Sequence, residues 1–307
     1  MASYYIIVNP ISGRGAGEKS IPLLEQFFTE QKLAYKIQKT DRPWHAAELA
    51  QEASKNGYDV IVGVGGDGTS NEIINGLMLA KESGTILPTL GILAVGRGND
   101  FAYSMGVPTT LEEGCQNLLH GKSSPIDIGR VTGGDYPQGR YFGNGVGVGF
   151  DAVVGFEALK LTWLSGFPSY IVAALKTIFL YFHAPLVQID YGDQSLTLPS
   201  LMVSIMNGRR MGGGFMMAPD GKRDDGLLNI CIATQVSRAR IFTLIPHFMR
   251  GDQATQKEIR TFQAKQVVVT ALKGVLPAHA DGETICTEGK QLSIELLPQQ
   301  INLICPE

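Results

Sequence analysis

The chain has 307 residues, of which 44% are hydrophobic and 18% are charged, and its formal net charge is −3. A typical globular domain has about 25% charged residues, so this composition excludes a disordered chain and favours extensive buried surface. The small net charge argues against a basic, nucleic-acid-binding domain. The length suffices for two ordinary domains.

The first third of the chain alternates short β-branched runs with longer amphipathic runs. Strands are predicted at residues 4–8, 34–38, 59–62 and 90–95, and helices at residues 21–32, 46–56 and 70–81. This alternation predicts a three-layer α/β domain over residues 1–127.

After residue 127 the pattern changes. A helical segment is predicted over residues 153–182 and a second helix over 239–250. Strand-like runs occur at residues 187–191, 201–206, 227–233, 267–271, 291–296 and 301–304. Strands in succession favour an antiparallel β-sandwich over residues 128–307. A return of the last few residues to the first domain is left open.

Neither the cysteines nor the apolar segments suggest export or a membrane span. The four cysteines contain no CxxC pair, so we expect buried thiols in a reducing compartment. The N-terminus has no basic region typical of a signal peptide. The longest apolar stretch, residues 169–182, contains Lys176 and is shorter than the roughly 20 residues that cross a bilayer. We therefore expect a cytoplasmic protein without a transmembrane segment.

The strongest motif is the glycine-rich segment Gly63-Val64-Gly65-Gly66-Asp67-Gly68-Thr69, between a predicted strand and a predicted helix. Glycines let the backbone approach a phosphate chain closely, and a helix N-terminus favours an anion. A carboxylate in such a loop would repel phosphates unless a metal ion or a substrate hydroxyl lay between them. The segment therefore indicates phosphoryl transfer.

Two other nucleotide motifs fit less well. A dinucleotide-binding fold needs an acidic residue after the next strand, but that strand is followed by a second glycine turn, Gly96-Arg97-Gly98-Asn99-Asp100. Residues 13–20 fail as a Walker P-loop, because Glu18 replaces the glycine that precedes the lysine. Glycines that serve only as tight turns are a further alternative, above all for residues 13–17.

These residues resemble the diacylglycerol-kinase catalytic superfamily, which includes bacterial lipid kinases, sphingosine kinases and ceramide kinases. The resemblance covers nearly the whole chain and rests on seven segments in family order. They are Asn9-Pro10 with Ser12-Gly13 and Gly15; Gly65 to Thr69 with Asn71-Glu72; Gly96 with Asn99-Asp100-Phe101-Ala102; Asn144-Gly145 with Gly147 and Phe150-Asp151; Gly213-Gly214; Ala218-Pro219 with Asp225-Gly226-Leu227; and Asp281-Gly282-Glu283.

The resemblance implies a nucleotide-binding α/β domain followed by a lipid-substrate domain of the β-sandwich type, with ATP and Mg²⁺ as cofactors. The implied ATP-binding residues are Asn9, Ser12, Thr40, Gly65, Gly66, Asp67, Gly68, Thr69, Asn71, Glu72, Arg97 and Asn99. The implied catalytic residues are Asp67, Asp100 and Glu283, the last as the general base that accepts the proton of the lipid hydroxyl. A second, structural Mg²⁺ would be held by Lys222, Asp225 and Leu227.

Some of these assignments have simpler alternatives. Asp281-Gly282 and residues 222–227 could each be ordinary surface turns. Arg97 stands where the family usually has threonine, which leaves that contact open. The apolar residues 170–182 and the basic residues around the helix at 239–250 either pack and face solvent, or border the lipid entry and contact anionic headgroups. Those basic residues are Arg238, Arg240, Arg250, Lys257 and Arg260.

The activity implied is transfer of the γ-phosphate of ATP to a lipid hydroxyl. The acceptor favoured is diacylglycerol, which would become phosphatidic acid. An NAD-kinase-like enzyme is disfavoured, because the chain has no Asn-x-Gly-x-Leu-Gly-Phe segment after the glycine turn. A catalytically inactive nucleotide-binding regulator is disfavoured, because Asp67, Asp100 and Glu283 are all present. We expect a lipid partner at the inner membrane face and no nucleic acid. A homodimer and the identity of the lipid are left open.

Overall fold

The computed structural model describes residues 2–161, 163–164, 166–180 and 184–306. The chain divides into two compact units, of which unit 1 comprises Met1–Asp127 with Gln299–Glu307 and unit 2 comprises Ile128–Pro298. The helices and strands, in chain order, are β1 (Ser3–Val8), α1 (Ser12–Glu30), β2 (Ala34–Lys39), α2 (His45–Lys55), β3 (Val60–Gly65), α3 (Asp67–Glu82), β4 (Thr89–Ala94), α4 (Asp100–Met105), α5 (Leu111–His120), β5 (Lys122–Gly133), β6 (Tyr136–Phe142), β7 (Gly145–Gly149), α6 (Phe150–Lys160), α7 (Phe167–Leu180), β8 (Leu186–Tyr191), β9 (Gln194–Met206), β10 (Leu228–Thr234), α8 (Arg238–Arg250), a short 3₁₀ helix (Gln253–Thr255), β11 (Ile259–Ala264), β12 (Gln266–Lys273), β13 (Leu276–Ala280), β14 (Glu283–Gly289) and β15 (Gln291–Cys305).

Unit 1 is built on a parallel sheet in the order β2-β1-β3-β4, and the end of β15 lies beside β4. All of β3 and nearly all of β1 are buried, as expected for parallel strands covered on both faces. Alternate residues of β1 and β3 pack against α1 and α5. On the other face, the missing Cβ of Gly63 makes room for Ile73 of α3, whose Cδ1 would lie 2.7 Å from it. The sheet therefore has a helical layer on each side.

The strand order reverses direction between β1 and β3. From β1 the chain proceeds through α1 to β2 on one side, and from β3 it proceeds through α3 to β4 on the other. Open α/β sheets bind ligands outside the carboxyl ends of the strands at such a reversal. The loops after β1, β3 and β4 are therefore the ones that the fold makes available for a ligand.

Unit 2 consists of two facing sheets. One sheet contains β8, β12 and β15, with β5 and β6 joined at its edge, and the other contains β14, β13, β7, β9, β10 and β11. The first half of β9 pairs with β8 and its second half with β7 and β10, so this strand belongs to both sheets. Buried side chains from both sheets form one core between them, which is the interior of a β-sandwich.

A second core lies on the outer face of the sheet that contains β7, β9 and β10. There α6, α7 and α8 pack on residues of β9 and β10, among them Met202, Met206 and Cys231. Successive residues of β10 alternate between this core and the sandwich interior. The predicted fold class, an α/β domain followed by an antiparallel β-sandwich, is confirmed.

Two predicted helices have different bounds in the structure. The helix expected over residues 21–32 begins at Ser12, but Gly13, Arg14 and Gly15 have left-handed backbone angles, so regular helix begins after them. The helix expected over residues 153–182 is two helices, α6 and α7. Gly166 has a φ of 66° before α7, and Pro168 lies in the first turn of α7, where proline is tolerated. Residues 181–182 of that prediction lie outside the described residues.

Several strands were predicted in part or not at all. The two strands expected at residues 291–296 and 301–304 form one strand, β15, which continues past Pro298 and Gln299. The strands β5, β6, β7, β11, β13 and β14, and the helices α4 and α5, were not predicted. Glycine-rich β7, with the sequence Gly-Val-Gly-Val-Gly, was not predicted as a strand, yet it is fully buried in the sheet.

Candidate active site

A glycine turn joins β3 to α3 in unit 1. β3 ends at Gly65, Gly66 is extended, and α3 begins at Asp67. A methyl group on Gly65 would lie 2.4 Å from Oγ1 of Thr69, and one on Gly96 would lie 2.4 Å from Cα of Gly66. The turns after β3 and β4 thus approach each other backbone to backbone, and glycine is required at both.

Three further predicted nucleotide contacts lie after neighbouring strands. Asn9 follows β1 and donates a hydrogen bond from Nδ2 to Oγ1 of Thr69 at 3.0 Å. Ser12 places its Oγ 3.6 Å from the position that a Cβ on Gly66 would occupy. Thr40 follows β2 and donates its N–H to the last carbonyl of β1 at 2.9 Å. Because carboxyl ends of parallel strands meet at one edge, these residues lie at the same edge as the glycine turn.

Asp67 and Asp100 are brought together by the turn after β4. The Oδ1 of Asp67 accepts a hydrogen bond from the N–H of Phe101 at 2.9 Å, at the start of α4. A methyl group on Gly98 would lie 2.9 Å from Oδ2 of Asp67 and 3.6 Å from Oδ2 of Asp100. The two carboxylate oxygens therefore face the same space beside a glycine that lacks a side chain.

This pair fits the chemistry of Mg²⁺. Magnesium is usually held by one or two carboxylates together with substrate phosphates rather than by a cage of protein ligands. Within the described part of the chain, no group of three or more His, Cys, Asp or Glu residues could hold a metal ion. Two carboxylates beside a glycine turn meet this requirement when the remaining ligands are phosphate oxygens and water.

Asn99 holds the turn between these acids in its shape. Its φ is 54°, in the left-handed region that asparagine tolerates better than most residues. Its Nδ2 donates to the carbonyl of Gly96 at 3.2 Å. Asn99 thus stabilises the turn from within and also serves as the residue from which α4 begins.

Two of the predicted nucleotide contacts, Asn71 and Glu72, direct their side chains to other parts of unit 1. The side chain of Asn71 is fully buried in α3, and its Oδ1 accepts a hydrogen bond from Asn75 at 3.3 Å. The carboxylate of Glu72 accepts the N–H groups of Trp44 at 2.8 Å and Ala46 at 3.1 Å, so it caps the start of α2. Arg97 is exposed to solvent. Gly68 lies in the first turn of α3, next to Asp67.

In unit 2 the predicted base, Glu283, follows a tight turn. Asp281 and Gly282 have φ values of 49° and 86° and connect β13 to β14 as a two-residue hairpin loop. The carboxylate of Asp281 accepts the N–H groups of Gly143, Asn144 and Gly145 at 2.8, 3.0 and 2.9 Å. Three charge-assisted hydrogen bonds therefore tie this turn to the loop between β6 and β7.

The Glu283 side chain itself is 47% exposed. Its Oε2 lies 3.9 Å from an Nη atom of the buried Arg140 on β6. Arg140 also donates to the hydroxyl of Tyr136 at 2.7 Å. Arg140 was not predicted as a site residue; its only signal in the sequence is an arginine within the strand-like run Arg-Tyr-Phe.

The predicted structural metal loop is an Asx turn. Oδ1 of Asp225 accepts the N–H of Leu227 at 3.0 Å, and the residue between them, Gly226, has a φ of 71°. Asp225 and Lys222 are exposed. The Mg²⁺ ligands Lys222, Asp225 and Leu227 remain a prediction, to which an exposed carboxylate and backbone carbonyls are chemically suited.

Exposed apolar side chains lie on α6, α7 and α8 and in the segment between α6 and α7; we call them the helical apolar face, which comprises Leu159, Trp163, Leu175, Phe179, Leu180 and Phe242. The guanidinium of Arg238 lies 6.0 Å from the ring centre of Phe179. Arg240 and Arg250 pair with Glu258 and Asp252, so the basic group expected there is partly neutralised. No helix in the described ranges is both long and apolar enough to cross a bilayer.

Comparison with known proteins gives matches along most of the chain. The diacylglycerol kinase catalytic domain matches residues 3–131, and the YegS C-terminal NAD kinase β-sandwich-like domain matches residues 144–305. The diacylglycerol kinase of Bacillus subtilis (strain 168) is 29% identical over 281 residues, which cover 91% of this chain and 88% of the relative. The diacylglycerol kinase of Mycobacterium tuberculosis (strain H37Rv) is 27% identical over 301 residues, 98% of this chain and 94% of the relative.

A solved structure is similar over the same length. It is that of a Bacillus anthracis str. Sterne protein assigned as a diacylglycerol kinase, with a TM-score of 0.77 and 26% identity. The similarity covers 99% of this chain and 96% of that one. The matches therefore include both units and every segment that carries a candidate site residue.

Proposed function

Because the chain belongs to the diacylglycerol-kinase catalytic superfamily and is a lipid kinase, we propose that it transfers the γ-phosphate of ATP to the free hydroxyl of diacylglycerol. The products are phosphatidic acid and ADP. The observation that carries this proposal is the carboxylate pair Asp67 and Asp100, which faces one space beside the glycine turn after β3.

The residues of unit 1 would bind and orient ATP. Backbone N–H groups at the start of α3 and the glycine turn suit the phosphate chain. Asn9 and Ser12 lie beside the turn, and Thr40 follows β2 at the same edge of the sheet. Asp67 and Asp100 would hold Mg²⁺ together with the phosphate oxygens. The chemistry that bound Mg²⁺ supplies is neutralisation of the charge on the transferring phosphoryl group.

Glu283 of unit 2 would accept the proton of the lipid hydroxyl. As the hydroxyl oxygen bonds to the γ-phosphorus, the bond from that phosphorus to the bridging oxygen of ADP breaks. The hydroxyl proton passes to the Glu283 carboxylate, which has to lie within hydrogen-bond reach of the hydroxyl oxygen. The half-exposed side chain and the three hydrogen bonds that hold the preceding Asp281 support this role.

The helical apolar face supports contact with the inner face of the membrane. Diacylglycerol resides in the bilayer, so a kinase that acts on it has to reach it at a membrane surface. Exposed aromatic and aliphatic side chains with an arginine beside them suit the boundary between headgroups and acyl chains. This face bears on membrane contact and not on whether the protein forms a homodimer.

The alternatives are less well supported. The match of residues 3–131 is to the diacylglycerol kinase catalytic domain, which disfavours an NAD-kinase-like activity. NAD kinase appears only in the name of the second matching domain, which is the β-sandwich-like one. A regulator without turnover would have no need of the paired acids beside the glycine turn.

The proposal is tested with purified protein, radiolabelled ATP and mixed vesicles that each contain one acceptor. The acceptors are diacylglycerol, a sphingoid base, ceramide, a polyprenol and, in solution, NAD. We expect labelled phosphatidic acid from diacylglycerol at a rate that depends on added Mg²⁺. Labelled NADP, or no transfer to any acceptor, would contradict the proposal, and preference for another lipid would keep the lipid kinase but replace the acceptor.

A further inference from the structure

His279 is a buried side chain next to the turn that precedes Glu283. It lies on β13, where it pairs with Gly147 of β7 and Thr284 of β14, and it is only 5% exposed. Its Nδ1 accepts a hydrogen bond from the N–H of Gly282 at 3.3 Å. The imidazole therefore holds the peptide group between Asp281 and Gly282, one residue before Glu283.

This hydrogen bond defines the form of the imidazole. A backbone N–H can only donate, so Nδ1 carries no proton and the neutral ring is protonated at Nε2. Burial lowers the pKa of His279 to about 4, so the ring stays neutral at physiological pH. The acceptor at Nδ1 is therefore always available.

The other side of the ring faces a space left by a glycine. A methyl group on Gly147 would lie 2.6 Å from Nε2 of His279 and 2.6 Å from Oδ2 of Asp151. Asp151 accepts hydrogen bonds from the hydroxyl of Ser204 at 2.6 Å and from the N–H of Ala152 at 2.9 Å. Gly147 thus leaves room for both polar side chains beside β7.

We propose that His279 is a positioning residue for Glu283, acting through the hydrogen bond from the Gly282 N–H to its Nδ1. The Asp281 carboxylate ties one side of the turn to the β6–β7 loop, and His279 holds the Gly282 N–H on the other side. His279 therefore helps to set the direction in which β14, and with it Glu283, begins. The inference rests on the proposed role of Glu283 as the general base.

Three substitutions separate the two ring nitrogens. In His279→Asn the amide oxygen can occupy the position of Nδ1, in His279→Gln the amide reaches only the position of Nε2, and His279→Leu supplies no acceptor. We expect kcat to fall roughly tenfold in the Gln and Leu variants, about the size of one lost hydrogen bond, with KM for ATP unchanged. The Asn variant should stay within about threefold of wild type.

A second readout does not depend on activity. The amide proton of Gly282 should exchange faster in the Gln and Leu variants than in wild type and in the Asn variant. Equal kcat and equal Gly282 exchange in all four proteins would overturn the inference, and so would rescue by Gln instead of Asn. If Glu283→Gln is as active as wild type, the proposed role of Glu283 as the base is wrong. The Gly282 exchange rates still report the hydrogen bond to His279, so this failure can be told apart from failure of the inference about His279.

Discussion

The two carboxylate oxygens of Asp67 have different surroundings. Oδ1 accepts the N–H of Phe101 at the start of α4, whereas Oδ2 faces the space beside Gly98 that it shares with Asp100. Asp67→Asn can keep the first contact but removes the charge. We expect kcat to fall by about 10²–10³, as when an electrostatic contact to the transition state is lost, with no change in Tm. Asp67→Ala, the control, should also lower Tm, because α4 loses the carboxylate that accepts the N–H of Phe101 at its start. Near-wild-type turnover in Asp67→Asn would refute the metal role.

Glu283 can be tested with a substitution that preserves its shape. Glu283→Gln removes the proton acceptor and should lower kcat by about 10²–10⁴. The dissociation constant for ATP, measured by equilibrium binding, should not change, because the proposed partner of this residue is the acceptor hydroxyl. Loss of ATP binding with turnover per bound ATP intact would instead make Glu283 a nucleotide contact.

The loop between β9 and β10 offers a sharp test of the predicted structural metal. Asp225→Asn can still accept the N–H of Leu227, so it preserves the Asx turn and removes only the charge. If a metal binds, Asp225→Asn and excess EDTA should each lower Tm by a few degrees, because a ligand that binds only the folded state adds roughly 1–3 kcal/mol of stability. EDTA should then have no further effect on the variant. A Tm that neither treatment changes would identify the loop as a plain turn.

The end of α7 carries the test of membrane contact. Phe179 and Leu180 are 64% and 59% exposed, so replacing both with serine should leave Tm unchanged. Burying two such side chains in a bilayer surface is worth about 1.5–3 kcal/mol each at most, and we expect binding to anionic vesicles, measured by sedimentation, to weaken at least about tenfold. Ile86→Ser, at an apolar residue of unit 1 that is 92% exposed, is the matched control. Equal vesicle binding in all three proteins would contradict the proposal.

Elements with strong periodicity were predictable from the sequence, and those shaped by tertiary contacts were not. The predicted strands at residues 4–8 and 34–38 agree with β1 and β2 to within a residue. The glycine-rich β7 was missed because its glycines make room for neighbours: a methyl group on Gly145 would lie 2.5 Å from the sulfur of Met206. Nothing local to residues 145–149 records that requirement.

The same distinction applies to the site. Asp67 and Asp100 could be linked through their glycine turns, because each follows a predicted strand. The capping of α2 by Glu72 joins residues that are 26 and 28 positions apart in the chain, and no local pattern describes it. Arg140 and His279 approach the β13–β14 turn from other strands, so their relation to Glu283 also needed the fold.

At the scale of the whole molecule, unit 2 is an insertion within unit 1. The residues that flank it are a hydrogen bond apart, since Oδ1 of Asp127 accepts the N–H of Gln299 at 2.8 Å. Residues 2–127 joined to 299–306 by a short glycine linker should therefore fold, with a cooperative thermal transition by circular dichroism. Residues 2–127 alone should be less stable, because the fully buried Leu303 is worth roughly 1.5–3 kcal/mol. An unfolded linked chain would show that unit 1 depends on unit 2.

The return of β15 beside β4 also has a consequence for biosynthesis. A ribosome translates residues 128–298 before it reaches the segment that contains Leu303, which pairs with Leu90 in the parallel sheet. Domains generally fold in the order in which they emerge, starting from the N-terminus. Here the edge of the sheet at β4 can be covered only after all of residues 128–298 have been synthesised. Unit 1 is therefore completed only near the end of synthesis, although its first 127 residues emerge first.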